Sequence, residues 1–358
     1  MYQSRKSFHR MKPTNLCSLV TVTTFWLLLL ALPVSSLAMG PTTGGTRSIL
    51  VSGSNKGQGY ALCERILAEH DDTYVFLCSR DQRRGQDAVE SLIEGNKTAK
   101  DRVELIVLDV TDESSVQDAV TQVQKSLAAN NRLYGVVSNA GILWGYSLAE
   151  QFAVNTVGAC RLLDHFLPLL DPHEGRMIVV SSGLGPLMHG YAHGERQRAL
   201  QSPELTFHDI ERMMQECTQD ESAAGLESVG FPGGPFAEAA PDFHKYGLAK
   251  MFTDAYMLRL ARRYPTLRIN SCDPGLVYTD LILKMPKYQG RSQQESGAKS
   301  PAQGVEAVMR LLFSSPTEDD TTTTTSSSSS SPLGGYFYAM NKERTKLLKS
   351  TIDVQPKE

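Results

Sequence analysis

The chemistry legible in this sequence starts from two side chains. Tyr246 and Lys250 stand four residues apart in a segment of helical character, so the phenol and the ammonium share one helix face. A free phenol ionises near pH 10. A cation beside it favours the phenolate, lowers that pKa and lets the group exchange protons near neutrality. A second feature lies near the start of the folded region. There Ser52-Gly53-Ser54-Asn55-Lys56-Gly57-Gln58-Gly59 joins a short apolar run to a helical one. Glycines let a backbone turn tightly and approach a pyrophosphate, while the helix that follows offers free N–H groups and a positive dipole end. Taken singly, each feature has an ordinary structural explanation: a tyrosine on an amphipathic helix is usually core, and a serine at a strand end is usually part of a turn. Their joint order is what carries weight.

These residues need a scaffold, and the chain alternates strand and helix from Arg47 onward. Ser48–Val51 is a buried strand, and Gly59–Glu69 a helix with Leu62, Ile66 and Leu67 on one face. Strands follow at Thr73–Cys78, Val103–Val110, Leu133–Val137, Arg176–Val180, Leu267–Ser271 and Tyr336–Tyr338. Helices fall at Asp81–Ile93, Glu113–Ala128, Ala149–Leu170, Phe243–Tyr264 and Pro301–Phe313. This order predicts right-handed βαβ units and an α/β fold, a Rossmann-like doubly wound parallel sheet of about seven strands. It is one domain over residues 46–340, with an insertion at 183–241 that holds a helix near Phe207–Cys217 and a C-terminal tail at 341–358. Residues 315–332 contain a hydroxyl tract, Thr321–Ser331, read as a disordered loop.

The glycine spacing, Gly53, Gly57, Gly59, resembles that of the short-chain dehydrogenase/reductase family. The resemblance continues along the chain through Asp109-Val110, Asn139-Ala140-Gly141, Asn155, Ser181-Ser182, Tyr246-Gly247-Leu248-Ala249-Lys250 and Asp273–Asp280, each at the matching end of its element. Ser138 stands where the family usually has the first Asn of its NAG motif. The resemblance implies a catalytic set of Ser182, Tyr246, Lys250 and Asn155. Ser182, with Ser181 as alternative, would donate to the substrate oxygen, Tyr246 would give the proton, and Lys250 would hold the nicotinamide ribose. Asn155 would hold a water beside Lys250. It also implies a dinucleotide bound by Gly53, Ser54, Asn55, Lys56, Gly57 and Gly59. Asp109 and Val110 would lie near the adenine, with Asn139, Ala140 and Gly141 farther along. Tyr246, Lys250, Pro274, Gly275, Val277 and Thr279 would take the nicotinamide end.

The end of the second strand selects the dinucleotide. It reads Ser79-Arg80, where an NAD site usually carries an acid for the ribose hydroxyl. Arg80, with Lys56 in the glycine loop, suits a 2′-phosphate, so the expected cofactor is NADP(H). No zinc-ligand spacing occurs, and no metal is expected.

Ser182 and Tyr246 lie 64 positions apart. That long connection, with Asn55-Lys56-Gly57, Arg80-Asp81, Arg84-Gly85-Gln86 and Ser202–Leu205, resembles the NADPH-dependent carbonyl reductases. In those proteins the insertion covers a dimerisation face, which implies a monomer. Met213, Met214 and Phe231 are candidates for the cleft wall or for packing, and Trp144 and Tyr146 are placed to flank substrate.

Residues 1–38 differ from the rest. Arg5, Lys6, Arg10 and Lys12 precede a charge-free stretch with the apolar core Phe25–Leu32, ending Ser36-Leu37-Ala38. This is the layout of a secretory signal peptide cleaved after Ala38; an uncleaved signal anchor over Leu16–Val34 is the alternative. The expected destination is the secretory pathway or endoplasmic reticulum, lumenal or membrane-anchored, with a plastid as a further option. Cys63, Cys78, Cys160, Cys217 and Cys272 show no disulfide-framework spacing. Asn96-Lys97-Thr98 is an N-glycosylation sequon. The whole chain is 41% hydrophobic and 21% charged with net charge −3, which excludes a mainly disordered chain and gives no support to a nucleic-acid partner.

The expected activity is NADPH-dependent reduction of a ketone, aldehyde or quinone. The alternatives are an enzyme like the retinol dehydrogenases or protochlorophyllide reductases acting on a lipophilic substrate at a membrane, and a noncatalytic NADP(H)-binding sensor.

Overall fold

The computed structural model describes residues 46–127, 132–285, 287–314, 336–340 and 347–351. The expected signal peptide or anchor at residues 1–38, the Thr/Ser tract and most of the C-terminal tail lie outside these residues.

The central sheet has eight strands: β1 (Arg47–Val51), β2 (Thr73–Ser79), β3 (Val103–Val107), β4 (Leu133–Ser138), β5 (Arg176–Val180), β6 (Arg268–Asp273), β7 (Tyr336–Met340) and β8 (Leu347–Thr351). Their order is β3-β2-β1-β4-β5-β6-β7-β8. Neighbours pair in parallel from β3 through β7, and β8 runs antiparallel against β7. The tail therefore holds a strand that its sequence did not announce. Leu-Leu-Lys-Ser-Thr has too little β-branched or alternating character to stand out.

Each interior strand is apolar on both sides because both sheet faces are covered. Leu50, Phe76, Val136 and Met177 face one layer, packed beneath α3 (Glu113–Ser126), α4 (residues 148–166, helical segments Leu148–Gln151 and Ala159–Phe166 joined by a π-helical stretch) and the later helices of that side. Ile49, Val51, Val75, Leu77 and Ile178 face the other, against α1 (Gly57–Glu69), α2 (Gln82–Gly95) and the C-terminal helix Glu306–Phe313. Burying each such side chain is worth about 1.5–3 kcal/mol.

The region 183–241 is more helical than its sequence predicted. It forms α5 (Leu184–Tyr191), α6 (Gly194–Gln201), α7 (Phe207–Gln219), α8 (Ala223–Ser228) and α9 (Gly234–Ala239) before the long α10 (Pro241–Arg263). A Thr206–Asp209 capping box starts α7 and the Ser222 hydroxyl caps α8, while a short amphipathic turn between polar loops gives little periodicity to read. The insertion packs on α10 through edge-on aromatic pairs, Phe231 with Phe252 at 5.3 Å and Phe207 with Tyr256 at 5.5 Å. Met213, Met214 and Phe231 are buried there as packing residues and do not reach the groove described below.

Candidate active site

β1 and β4 are sequence-distant neighbours whose crossovers leave in opposite directions, so a crevice opens at their C-terminal ends. There the chain forms a groove of about 680 Å³. The glycine loop makes its floor. Gly53 has φ +63°, and a Cβ there would sit 2.8 Å from Ala140 Cα; a Cβ on Gly59 would sit 2.5 Å from the Gly53 carbonyl. Loop and NAG segment are thus pressed together at contacts that only glycine permits. Asn139 binds them: its amide nitrogen donates to the Ser52 carbonyl at 2.9 Å and the Gly53 carbonyl at 3.1 Å. The Ser52 hydroxyl accepts from the N–H groups of Asn139 and Ala140 at 2.9 and 3.1 Å. Ser52 was not marked by motif spacing; its place between Val51 and the first glycine was the available signal.

Helix α1 begins at this floor with no side-chain cap and no acid in its first turn. A helix start left open in this way, over a floor of glycines, fits a pyrophosphate. Gly53, Asn55, Lys56, Gly57, Gly59, Arg80, Asp109, Val110, Asn139, Ala140, Gly141 and Thr279 all line the groove. Ser54 does not. Its buried hydroxyl donates to the Val51 carbonyl at 2.7 Å and accepts from the Cys78 N–H at 2.9 Å, so it links β1 to β2 rather than facing a ligand. Pro274, Gly275 and Val277 also stand outside the lining: the Pro274 carbonyl accepts from Lys299, and Val277 is buried.

At the end of β2, Arg80 and Arg84 both face the groove. Asp81 accepts from the Arg84 N–H at 2.8 Å as the cap of α2, and its other oxygen pairs with the Arg84 guanidinium at 3.4 Å, so part of the Arg84 charge is already met. Lys56 pairs with Asp280 at 2.6 Å across the groove mouth, an exposed contact that leaves less of its charge for a ligand than its sequence position implied. Asp109 accepts from both the N–H and the hydroxyl of Thr111, which orders the loop after β3.

The catalytic corner lies at the end of β5. Lys250 donates from Nζ to the Val180 carbonyl at 2.8 Å, and its Nζ stands 5.4 Å from the centre of the Tyr246 ring. Ser181 donates to Asp254 at 2.9 Å, so its hydroxyl is committed inward. Ser182 is half-buried, and its oxygen accepts the Leu184 N–H at 3.2 Å. Of the two serines, Ser182 is the one free to address a substrate. Ser182, Tyr246 and Lys250 do not line the groove itself, whereas Trp144 and Tyr146 do. Trp144 packs edge-on against Phe243 at 4.9 Å, one turn before Tyr246.

Two expectations change here. Tyr246 is not eased toward ionisation: burial first, then Asp273 and Asp254, push its phenol above the ordinary value. Burial brings the Lys250 ammonium down to about 8, with Asp254 opposing that fall. The Asn155 side chain, meanwhile, is largely committed to protein partners. Its amide oxygen accepts the Ile142 N–H at 2.9 Å, and its nitrogen donates to the Ile142 carbonyl and to Gln151. Asn155 instead lies in a π-helical stretch of α4, Phe152–Gly158, whose widened turn exposes its carbonyl to the Thr253 hydroxyl of α10 at 2.8 Å. Asn155 thus latches the Gly141–Leu143 loop to the helix beneath Lys250.

Comparison with known proteins agrees with this geometry. The family model for short chain dehydrogenases matches residues 47–194. Short-chain dehydrogenase/reductase 1 of Saponaria officinalis is 30% identical over 71% of this chain and 88% of its own length. The carbonyl reductase 3 of Mus musculus, named as NADPH-dependent, is 27% identical over 72% of this chain and 89% of its own. Among solved structures, salutaridine reductase from Papaver somniferum superposes with a TM-score of 0.60 at 22% identity, covering 75% of this chain and 95% of that one. Fold and site define a nicotinamide-dinucleotide oxidoreductase of alcohol and carbonyl groups. The chain belongs to the short-chain dehydrogenase/reductase family.

Proposed function

We propose that the protein is an NADPH-dependent reductase that converts a small apolar ketone, aldehyde or quinone to the alcohol. The observation that carries this reading is the helix-α10 pair Tyr246 and Lys250 at the end of β5, near Ser182, together with a groove that Arg80 and Arg84 line at the end of β2, where Asp81 is not among the lining residues. The Mus musculus relative named for NADPH carbonyl reduction supports the same chemistry.

The groups that line the groove divide the work. Arg80 and Arg84 meet the 2′-phosphate, and a charged hydrogen bond of about 1.5–3 kcal/mol gives ~10–100-fold preference over NADH. The open start of α1 takes the pyrophosphate. The reduced nicotinamide supplies the hydride when bound. Ser182 donates to the substrate oxygen and fixes it near Tyr246. Tyr246 enters protonated at neutral pH, because burial and two carboxylates raise its pKa, and it delivers its proton as negative charge grows on that oxygen. Lys250, cationic below about pH 8, then stabilises the phenolate left behind. Trp144, Tyr146 and Leu143 give the groove an apolar wall suited to a ring-bearing substrate.

Steady-state turnover of residues 39–358 with NADPH and NADH over quinones, aromatic and alicyclic ketones, aldehydes and retinal tests the reading. Preference for retinal would favour the lipophilic-substrate alternative. Tight NADPH binding without turnover of any carbonyl would favour the sensor. The insertion packed over α10 leads us to propose a monomer. Residues 1–38 lead us to propose entry into the secretory pathway, checked by the mass of the secreted or membrane-bound product: cleavage after Ala38 removes the four basic residues of the leader.

A further inference from the structure

The end of β5 is gripped at consecutive residues by side chains of α10. The Val180 carbonyl takes the Lys250 ammonium at 2.8 Å, and Ser181 donates to Asp254 Oδ2 at 2.9 Å; Ser182 comes next. Tyr246, Lys250 and Asp254 are spaced one helical turn apart, so they stand in one row along α10. Asp254 is 3% exposed, and its second oxygen, Oδ1, is buried with no hydrogen-bond partner. Helix α5 presses on the same place: a Cβ on Gly185 would lie 2.5 Å from Asp254 Oδ2 and 3.2 Å from the Lys250 carbonyl carbon. A carboxyl is a costly way to accept one hydroxyl proton in a dry interior, since an amide oxygen would do the same without a charge to desolvate.

We propose that Asp254 is a positioning residue of the active site, serving as the counter-charge of Lys250 and, through Ser181, fixing the strand end that presents Ser182. The proposal rests on the reading of Ser182, Tyr246 and Lys250 as the catalytic set, and extends their row by one turn. The charge environment is shared among several elements. Lys250 and Tyr246 face Asp254 from its own helix, and Ser181 from β5. His189 of α5 and Gln201 of α6 border the same small buried space. From the end of β6 come Asp273 and the Ser271 hydroxyl, the latter outside hydrogen-bond geometry, while the Cys272 thiol there bears on Lys250. Burial raises the Asp254 carboxyl, and Ser181 and Lys250 act to keep it charged. Asp254 in turn favours the ammonium of Lys250 against its own burial.

Asp254→Asn keeps an acceptor for Ser181 and removes the charge. The expected result is a kcat–pH profile whose alkaline limb moves down by about one unit, with KM for the carbonyl substrate held within about twofold. Ser181→Ala removes the grip and one of the groups that keep Asp254 charged, so kcat falls and the limb moves down by less than in Asp254→Asn. An alkaline limb that coincides in the wild type and Asp254→Asn overturns the proposal. A readout free of turnover separates this from failure of the reductase reading: the 15N shift of Lys250, assigned with Lys250→Arg, followed against pH in the wild type together with the 13C shift of the Asp254 carboxyl. The two are expected to titrate as a coupled pair. A Lys250 signal indifferent to ionisation of Asp254 overturns the proposal, whether or not Asp254→Asn folds and whether or not any carbonyl is reduced.

Discussion

Tyr246 and Lys250 have opposite problems at neutral pH, and burial handles both. The phenol is pushed up and stays protonated, ready to give; the ammonium is pulled down to about 8 and stays charged only below that. The sign of the pH dependence follows. Reduction is expected to hold steady through neutrality and to fall above about pH 8 as Lys250 loses its proton, a limb that kcat–pH profiles report. A limb set instead by Tyr246 would lie far higher. Replacing the proton donor, Tyr246→Phe is expected to cut kcat by roughly 10²–10⁴-fold while NADPH binding persists. These residue identities were legible in sequence because YxxxK and a strand-end serine pair sit at fixed places. Their protonation was not: it depends first on burial, then on Asp254, which belongs to no motif, and on Asp273, whose motif does not mark it as a charge facing Tyr246.

At the scale of elements, the site is a set of loop ends held by short polar links between strands and helices. Ser52 and Asn139 join the ends of β1 and β4, Ser54 joins β1 to β2, and Asn155 latches the loop after β4 to α4. Strands and long helices could be read from their periodicity, since each buries a continuous apolar face. The links could not, because a serine beside a glycine looks the same whether it faces a phosphate or a neighbouring strand; Ser54 was assigned to the ligand and belongs to the scaffold. Gly53→Ala is expected to strain the loop by about 1–3 kcal/mol and to displace Ala140, weakening NADPH binding. Quenching of Trp144, which is the sole tryptophan after the leader and lines the groove, measures this. Asn155→Ala is expected to leave the Ile142 N–H without its partner, lowering stability by about 1–3 kcal/mol in denaturant titrations.

For the whole molecule, five cysteines sit in the described residues and all are buried and unpaired. Burial raises every one of their thiols. Native residues 39–358 should therefore show no fast reaction with a thiol reagent, and five equivalents after denaturation. The sequon is likewise occupied by the fold: Asn96 uses its amide nitrogen on the Leu67 carbonyl and its oxygen as a cap for Thr98. Among the described residues no helix is long and apolar enough to cross a membrane. The measurement that bears most directly on the account is NADPH oxidation by residues 39–358 with a panel of carbonyl compounds, run beside NADH and beside Tyr246→Phe and Arg80→Ala. The account predicts turnover with NADPH at least ~10-fold above NADH, loss of that preference in Arg80→Ala, and near loss of turnover in Tyr246→Phe. Equal use of NADH, or turnover that survives Tyr246→Phe undiminished, would contradict it.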